Sequence, residues 1–396
     1  MNRWETPEFV NKDGHARATS IAQDLELLPE HGQLDEFRTL RIIEQLKRQG
    51  LINEAVERVK QKYAAGMRDM AEDFGADCWE MLAALELFDP ETARHCISTY
   101  EIARSKVEKT LWNGTVLAET FQQENVNLHQ FYRACLLHDI GKIEVPHAVL
   151  VTRVSDERCA DILNEHRDDV LLPRLRMKYG AQFELPTSVH DGPSLLQYLY
   201  NHLHLRPQEL TPIRLLLEHP LDAEIQEQLA HCGCSSEDSL LDIMHTHDAY
   251  SSKILTVLGY RVEGEIAGAH HHHSIQDKKY QITIGSMQVS IDLADIIHLA
   301  DVENAMLSKR HYKEEGTSLK ALQVLALHAK QGLIQDYIAY LWIADEMLNL
   351  DTGRLDATDR EIYAALAAFL DTSRSRHLAW PNWRVQHTVD VQKMAA

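Results

Sequence analysis

The 396-residue sequence predicts an all-α protein interrupted by one small β-hairpin. Three observations carry that expectation. Apolar residues recur at helical spacing along most of the chain, a helix-start signal stands at Asp89-Pro90-Glu91-Thr92, and two-residue alternation occurs only near 280–291.

Residues 1–30 are polar and irregular and read as a poorly fixed arm. Beyond them Phe37, Leu40, Ile43 and Leu46 form one helical stripe. Leu51, Ala55, Val59, Tyr63 and Met67 form a second, and the apolar run from Trp79 to Phe88 a third. Residues 1–88 are therefore expected to be an N-terminal helical accessory region. Sensing, dimerisation and structural support stay open as its role, and a homo-oligomer or protein partner would engage through these helices. Asp89 is the expected cap of the next helix, with Pro90 in the first turn, where its missing N–H costs nothing. Glu91 and His95, four residues apart, share one face of it.

Segment 153–234 is polar and helix-like, with apolar runs at 195–200 and 213–217 and Pro186, Pro193, Pro207, Pro212 and Pro220 as punctuation. It reads as a helical insertion, a lid or partner surface. Residues 280–284 and 287–291 alternate around Gly285-Ser286, the pattern of a hairpin with a two-residue turn. Residues 319–348 and 359–370 are again helical, and 351–396 form a C-terminal helix and tail.

Lys and Arg number 40 against 60 Asp and Glu, a formal charge of −20. The long-range field of such a chain repels polymeric nucleic acid. A small dinucleotide is compatible if metals and a few cations supply a local basic patch. With no N-terminal apolar signal and no run of 18 apolar residues, the sequence reads as cytoplasmic and not membrane-bound. The six cysteines lack the spacing of a disulfide framework and read as reduced thiols; His231-Cys232-Gly233-Cys234 lacks the distant second pair that a zinc site needs.

The chemistry-bearing stretch is Leu137-His138-Asp139-Ile140-Gly141-Lys142-Ile143, which sets an imidazole beside a carboxylate with an ammonium three residues on. A His-Asp pair alone is weak evidence in a chain with 23 histidines and 60 acidic residues. Further donors accompany it: His95, His247, His270 and His271 within a run of four histidines, and Asp301. All are nitrogen or oxygen ligands suited to iron, manganese or zinc. Adjacent helical residues point about 100° apart, so His270 and His271 are placed to serve two ions or two edges of a cluster. The bland reading of the run is a solvated polar stretch.

These segments resemble the HD superfamily of metal-dependent phosphohydrolases and, within it, the HD-GYP branch of cyclic di-GMP phosphodiesterases. Glu91-Thr92-Ala93-Arg94-His95 resembles the family's first histidine helix, and residues 137–146 its Leu-His-Asp-Ile-Gly-Lys-Ile-x-Val-Pro block. Ile243-Met244-His245-Thr246-His247, Glu265 to His271, and Leu299 to Met306 running on to Arg310 and Lys313 resemble three later blocks. The likeness covers roughly 89–152 and 235–345 and implies an HD-type helical bundle over 89–350.

The resemblance implies that His95, His138, Asp139 and Asp301 hold one metal, and His247, His270 and His271 a second, with Asp139 bridging. Two or three divalent ions, iron or manganese, are the implied cofactors, and a metal-bridged water the implied nucleophile. Glu91 fits the position that accompanies a third metal, or it is simply a first-turn carboxylate favoured by the helix dipole. Lys142 is implied to contact phosphate or protonate the leaving group, its alternative being a surface lysine at a helix end. Arg310 and Lys313 match phosphate-holding positions.

Two departures limit the likeness. The Gly-Tyr-Pro signature is absent after the histidine pair, and Tyr280 is the candidate stand-in for its tyrosine. The separation of Asp139 and His247, 247 − 139 = 108 positions, is also long for the family, which the insertion at 153–234 explains. That insertion contains His166, which competes with His247 for the same ligand role. The expected function is metal-dependent hydrolysis of a cyclic dinucleotide, cyclic di-GMP first. The alternatives are a catalytically degenerate HD-GYP-like binding protein and a mixed-valence di-iron oxygenase.

Overall fold

The computed structural model describes residues 37–67, 74–108, 116–152, 154–203, 205–217, 223–271, 281–284, 287–290, 292–307 and 317–376. The architecture is all-α, as the periodicity predicts. α1 (Arg38–Arg48) buries Ile42, Ile43 and Leu46, and α2 (Ile52–Met67) buries Ala55, Val59 and Tyr63. α3 (Ala76–Phe88) is apolar nearly all round and correspondingly buried. Its one buried carboxylate, Glu86, is satisfied by the Tyr63 hydroxyl at 2.6 Å and the Lys62 ammonium at 2.5 Å.

α4 (Pro90–Val107) begins as the sequence indicates. Asp89 Oδ1 accepts the backbone N–H groups of Glu91 and Thr92 at 3.0 and 3.3 Å, satisfying donors that the first turn leaves without a helical partner. α5 (Val116–Glu124) precedes α6 (Leu128–Leu137), which Asn127 and Gln130 close with a reciprocal capping box. A 3-10 turn, Ile140–Glu144, follows directly.

After α7 (His147–Leu150), the stretch 153–234 expected as a helical insertion contains α8 (Asp156–Glu165), α9 (Leu172–Tyr179), α10 (Gly192–Tyr198) and α11 (Ala223–His231), with π-helical turns at Arg167–Leu171 and Leu199–Leu203. α12 (Leu240–Val257) and α13 (Arg261–Ala267) lead to β1 (Gln281–Ile284) and β2 (Met287–Ser290). The strands pair antiparallel with Ile284 opposite Met287, the register of a two-residue connection. The Gly285-Ser286 turn itself lies outside the described residues. α14 (Leu293–Leu307), α15 (Ser318–Lys330), α16 (Asp336–Leu348) and α17 (Ala357–Arg376) complete the chain.

Two compact units interleave along the sequence. Among the described residues one comprises 56–139 and 255–376, the other 37–55 and 140–254. In the first, α4 packs against α3, α6 and α14, and α13 against α6. Polar ties fix these helices where apolar contact alone would let them slide. Lys106 of α4 reaches Asp345 of α16 at 3.1 Å and also pairs with Glu346. Its ammonium lies 4.9 Å from the centroid of the Trp342 ring, and the Trp342 indole N–H donates to Glu303 of α14 at 2.5 Å. Arg133 of α6 donates twice to Glu263 of α13, at 2.8 and 2.6 Å.

The second unit holds two apolar cores, one around Val145, Val149, Ile213 and Ile243, the other around Leu163, Leu171, Leu195 and Leu199. Here α1 is capped from a distance. Phe37 offers no side-chain cap, and Glu144 accepts the backbone N–H groups of Arg38 and Thr39, each at 2.9 Å. No helix among the described residues is long and apolar enough to cross a membrane.

Candidate metal centre

Four helices of the first unit deliver the donors. His95 stands one turn into α4, His138 caps the C-terminal end of α6, and Asp139 follows it. His270 and His271 come just after α13, and Asp301 lies in the middle of α14. His95, His138 and Asp139 each offer an atom within 4.8 Å of the others, and all three are buried. The nearest Asp139 oxygen is 3.7 Å from His95 Nε2 and 3.5 Å from His138 Nε2. Two donors each about 2.1 Å from one ion lie at most about 4.2 Å apart, so these separations fit a shared metal.

Asp301 joins the group by accepting from His95 Nε2 at 2.5 Å, and its Oδ1 is 3.9 Å from His138 Nε2. His270 Nε2 is 4.0 Å from the other Asp139 oxygen, and the His138 and His270 rings meet edge to face at 4.9 Å between centroids. The His271 ring lies 4.0 Å from that of His270. Aspartate oxygens thus stand between imidazoles on two sides.

The local backbone sets the imidazole tautomers. His138 Nδ1 lies 2.8 Å from the carbonyl oxygen of Cys135, three residues earlier, and His270 Nδ1 lies 2.5 Å from that of Ala267. Because a carbonyl only accepts, Nδ1 carries the proton in both and Nε2 keeps its lone pair. His138 Nε2 is fully buried and has no hydrogen-bond partner among the described residues. A buried acceptor left in that state is costly unless an ion or water meets it. Burial also drives the His138 pKa down to about 4, more than Asp139 raises it, so the ring is neutral, as a ligand must be. Burial would raise the Asp301 pKa, yet the hydrogen bond from His95 and the neighbouring His95, His271 and His138 imidazoles hold the carboxyl well below the usual range. The neutral His138 ring with its unmatched buried nitrogen, beside the ionised Asp301 carboxylate, is part of a donor set that fits a divalent metal.

His247 is buried in α12 of the second unit. Its Nδ1 lies 2.5 Å from the carbonyl of Met244, the same three-residue device, and its Nε2 lies 2.9 Å from Asp248. The competing His166 sits at the end of α8, half-buried, with Nδ1 3.1 Å from exposed Asp169. Glu91 is exposed in the first turn of α4 and is outside the His95, His138, Asp139 trio. Lys142 is half-buried in the 3-10 turn. Tyr280, Arg310 and Lys313 lie outside the described residues.

Sequence reasoning missed two polar partners. Asp248 stands directly after His247. Asn304 follows Asp301 by three positions, a spacing that puts both on one face of α14, and its Nδ2 lies 2.7 Å from His95 Nδ1.

Neither a curated protein nor a solved structure matches the chain. The family model described as the HD domain matches residues 92–176, a stretch that contains His95, His138 and Asp139. That match and the buried trio together support a metal-dependent phosphohydrolase of the HD superfamily.

Proposed function

We propose that this protein is a metal-dependent phosphodiesterase that opens a cyclic dinucleotide, with cyclic di-GMP as the first substrate to test. The observation that carries the hydrolase reading is the buried trio of His95, His138 and Asp139 with half-buried Asp301 beside it, in which His138 Nε2 has no hydrogen-bond partner among the described residues. A divalent metal bound there supplies Lewis-acid charge for phosphoryl oxygens and lowers the pKa of a coordinated water.

The protein's own groups divide the remaining work. The Nδ1–H hydrogen bonds of His138 and His270 keep their Nε2 atoms aimed and unprotonated. Asp139, with one oxygen toward His95 and His138 and the other toward His270, is the proposed bridge between two ions. His247, His270 and His271 are the proposed ligands of the second, and Glu91 of a third. Lys142, beginning three residues after Asp139, is the proposed contact to a phosphoryl oxygen or donor to the departing ribose oxygen. Arg310 and Lys313 are proposed to hold phosphate and Tyr280 to hold the nucleotide. Support for a cyclic dinucleotide is the order of the sequence blocks; with a charge of −20, the chain can take such an anion only where metals and local cations supply a positive patch.

The missing Gly-Tyr-Pro signature favours a second reading, a protein that binds the dinucleotide without cleaving it. The test is incubation of iron- or manganese-loaded protein with cyclic di-GMP and related dinucleotides. Metal-dependent appearance of the linear product is expected. Binding with no cleavage would establish the second reading, and oxygen consumption with turnover of a small organic substrate would replace both with an oxygenase.

A further inference from the structure

We infer that Asn304 is a positioning residue whose side-chain amide sets the tautomer of His95. The inference rests on the metal-centre reading above but concerns a residue that the ligand set leaves out. Helix α14 holds both nitrogens of one imidazole: Asp301 Oδ1 is 2.5 Å from His95 Nε2, and one turn later Asn304 Nδ2 is 2.7 Å from His95 Nδ1. Asn304 is buried, and the same Nδ2 also lies 2.9 Å from the His95 carbonyl oxygen and 3.1 Å from Thr99 Oγ1, itself fully buried.

His138, His247 and His270 all direct Nδ1 at a carbonyl oxygen three residues earlier, which fixes Nδ1–H permanently. His95 differs because its Nδ1 faces an amide. As placed, the Asn304 NH2 group donates to Nδ1, so the His95 proton sits on Nε2 and is given to Asp301. Ligation through Nε2 needs the other tautomer, with Nδ1 as donor. A carboxamide serves both, since rotation by about 180° exchanges its NH2 for its carbonyl oxygen. Rotation gives up the donation to the His95 carbonyl oxygen, while the Thr99 hydroxyl can turn to donate in its place. In that exchange one ring proton leaves Nε2 and one is taken up at Nδ1.

Outer partners of ligating histidines typically contribute 10–100-fold to metal affinity. Asn304→Leu, which keeps the volume and removes both polar atoms, should weaken the affinity for manganese by that factor in a chelator-competition titration of the full chain. Asn304→Asp, which accepts from Nδ1–H, should retain affinity within a few-fold of the unsubstituted protein. Circular dichroism and a thermal melt establish that each variant is folded. If Asn304→Leu unfolds, Asn304→Asp and Asn304→Ser decide, since serine is too short to reach Nδ1 and should show the loss. Folded Leu or Ser variants with unchanged affinity would overturn the inference. Failure of the unsubstituted protein to bind manganese, iron or zinc would instead overturn the metal-centre reading.

Discussion

Gly141 lies so close to α12 that a Cβ placed on it would fall 2.1 Å from the carbonyl oxygen of His247 and 2.5 Å from the Ser251 nitrogen. Its own N–H donates to Ser251 Oγ at 2.9 Å. The glycine of the His-Asp segment is therefore required by the helix that carries His247, and not by backbone dihedrals. Both blocking atoms belong to backbone and cannot swing aside. Gly141→Ala should cost at least about 1–3 kcal/mol, read as a lower denaturant midpoint, and should reduce the metal bound per chain. A midpoint equal to that of the unsubstituted protein would contradict the packing.

Glu144 caps α1 across more than a hundred residues, with Oε2 accepting from Arg38 N and Oε1 from Thr39 N and Thr39 Oγ1. Glu144→Ala strands buried donors, which costs about 1–3 kcal/mol. Hydrogen exchange at the Arg38 and Thr39 amides should accelerate more than in the rest of α1. Uniform protection along α1 in the variant would show that the cap is dispensable.

Burial raises the thiol pKa of Cys78 and of Cys159 from 9.0 to about 11. The folded state thus holds these protons after the unfolded chain has released them. The stability they contribute is complete below pH 9 and is lost between pH 9 and pH 11, at about 1.4 kcal/mol per pH unit for each thiol. Cys78→Ala and Cys159→Ala should each flatten the fall of the denaturant midpoint across that window. A profile as steep in the double variant as in the unsubstituted protein would rule these thiols out as its cause.

His247 and His166 compete for one ligand role in the sequence, and their surroundings separate them. His247 is buried with Nδ1 held by the Met244 carbonyl, whereas His166 is only half-buried, beside exposed Asp169. His247→Ala should lower the metal content and His166→Ala should leave it unchanged. The reverse outcome would assign the ligand to the α8 end.

Much of the fold was legible because its signals are local. The Asp89 cap, the stripe through Ile43 and Leu46 and the 281–290 alternation each depend on residues a turn or a strand apart. The ligand candidates were legible one at a time, since His138-Asp139 and His270-His271 are neighbours in sequence. What joins them is not local: His95 meets Asp301 and Asn304 across 206 and 209 positions, and α1 meets Glu144 across 106. No periodicity encodes such pairs. Asn304 carried one faint signal, its three-residue spacing from Asp301. Asp248 carried only adjacency to His247, which in a chain with 60 acidic residues says little.

The most direct measurement is metal content by equilibrium dialysis of chelator-treated protein against manganese or iron, with and without Asp139→Asn. Asp139 is buried, and its oxygens face His95, His138 and His270. The unsubstituted protein should retain at least one ion per chain, and folded Asp139→Asn should lose most of it. Equal metal content in the two proteins, or none in either, would contradict a metal centre built on Asp139.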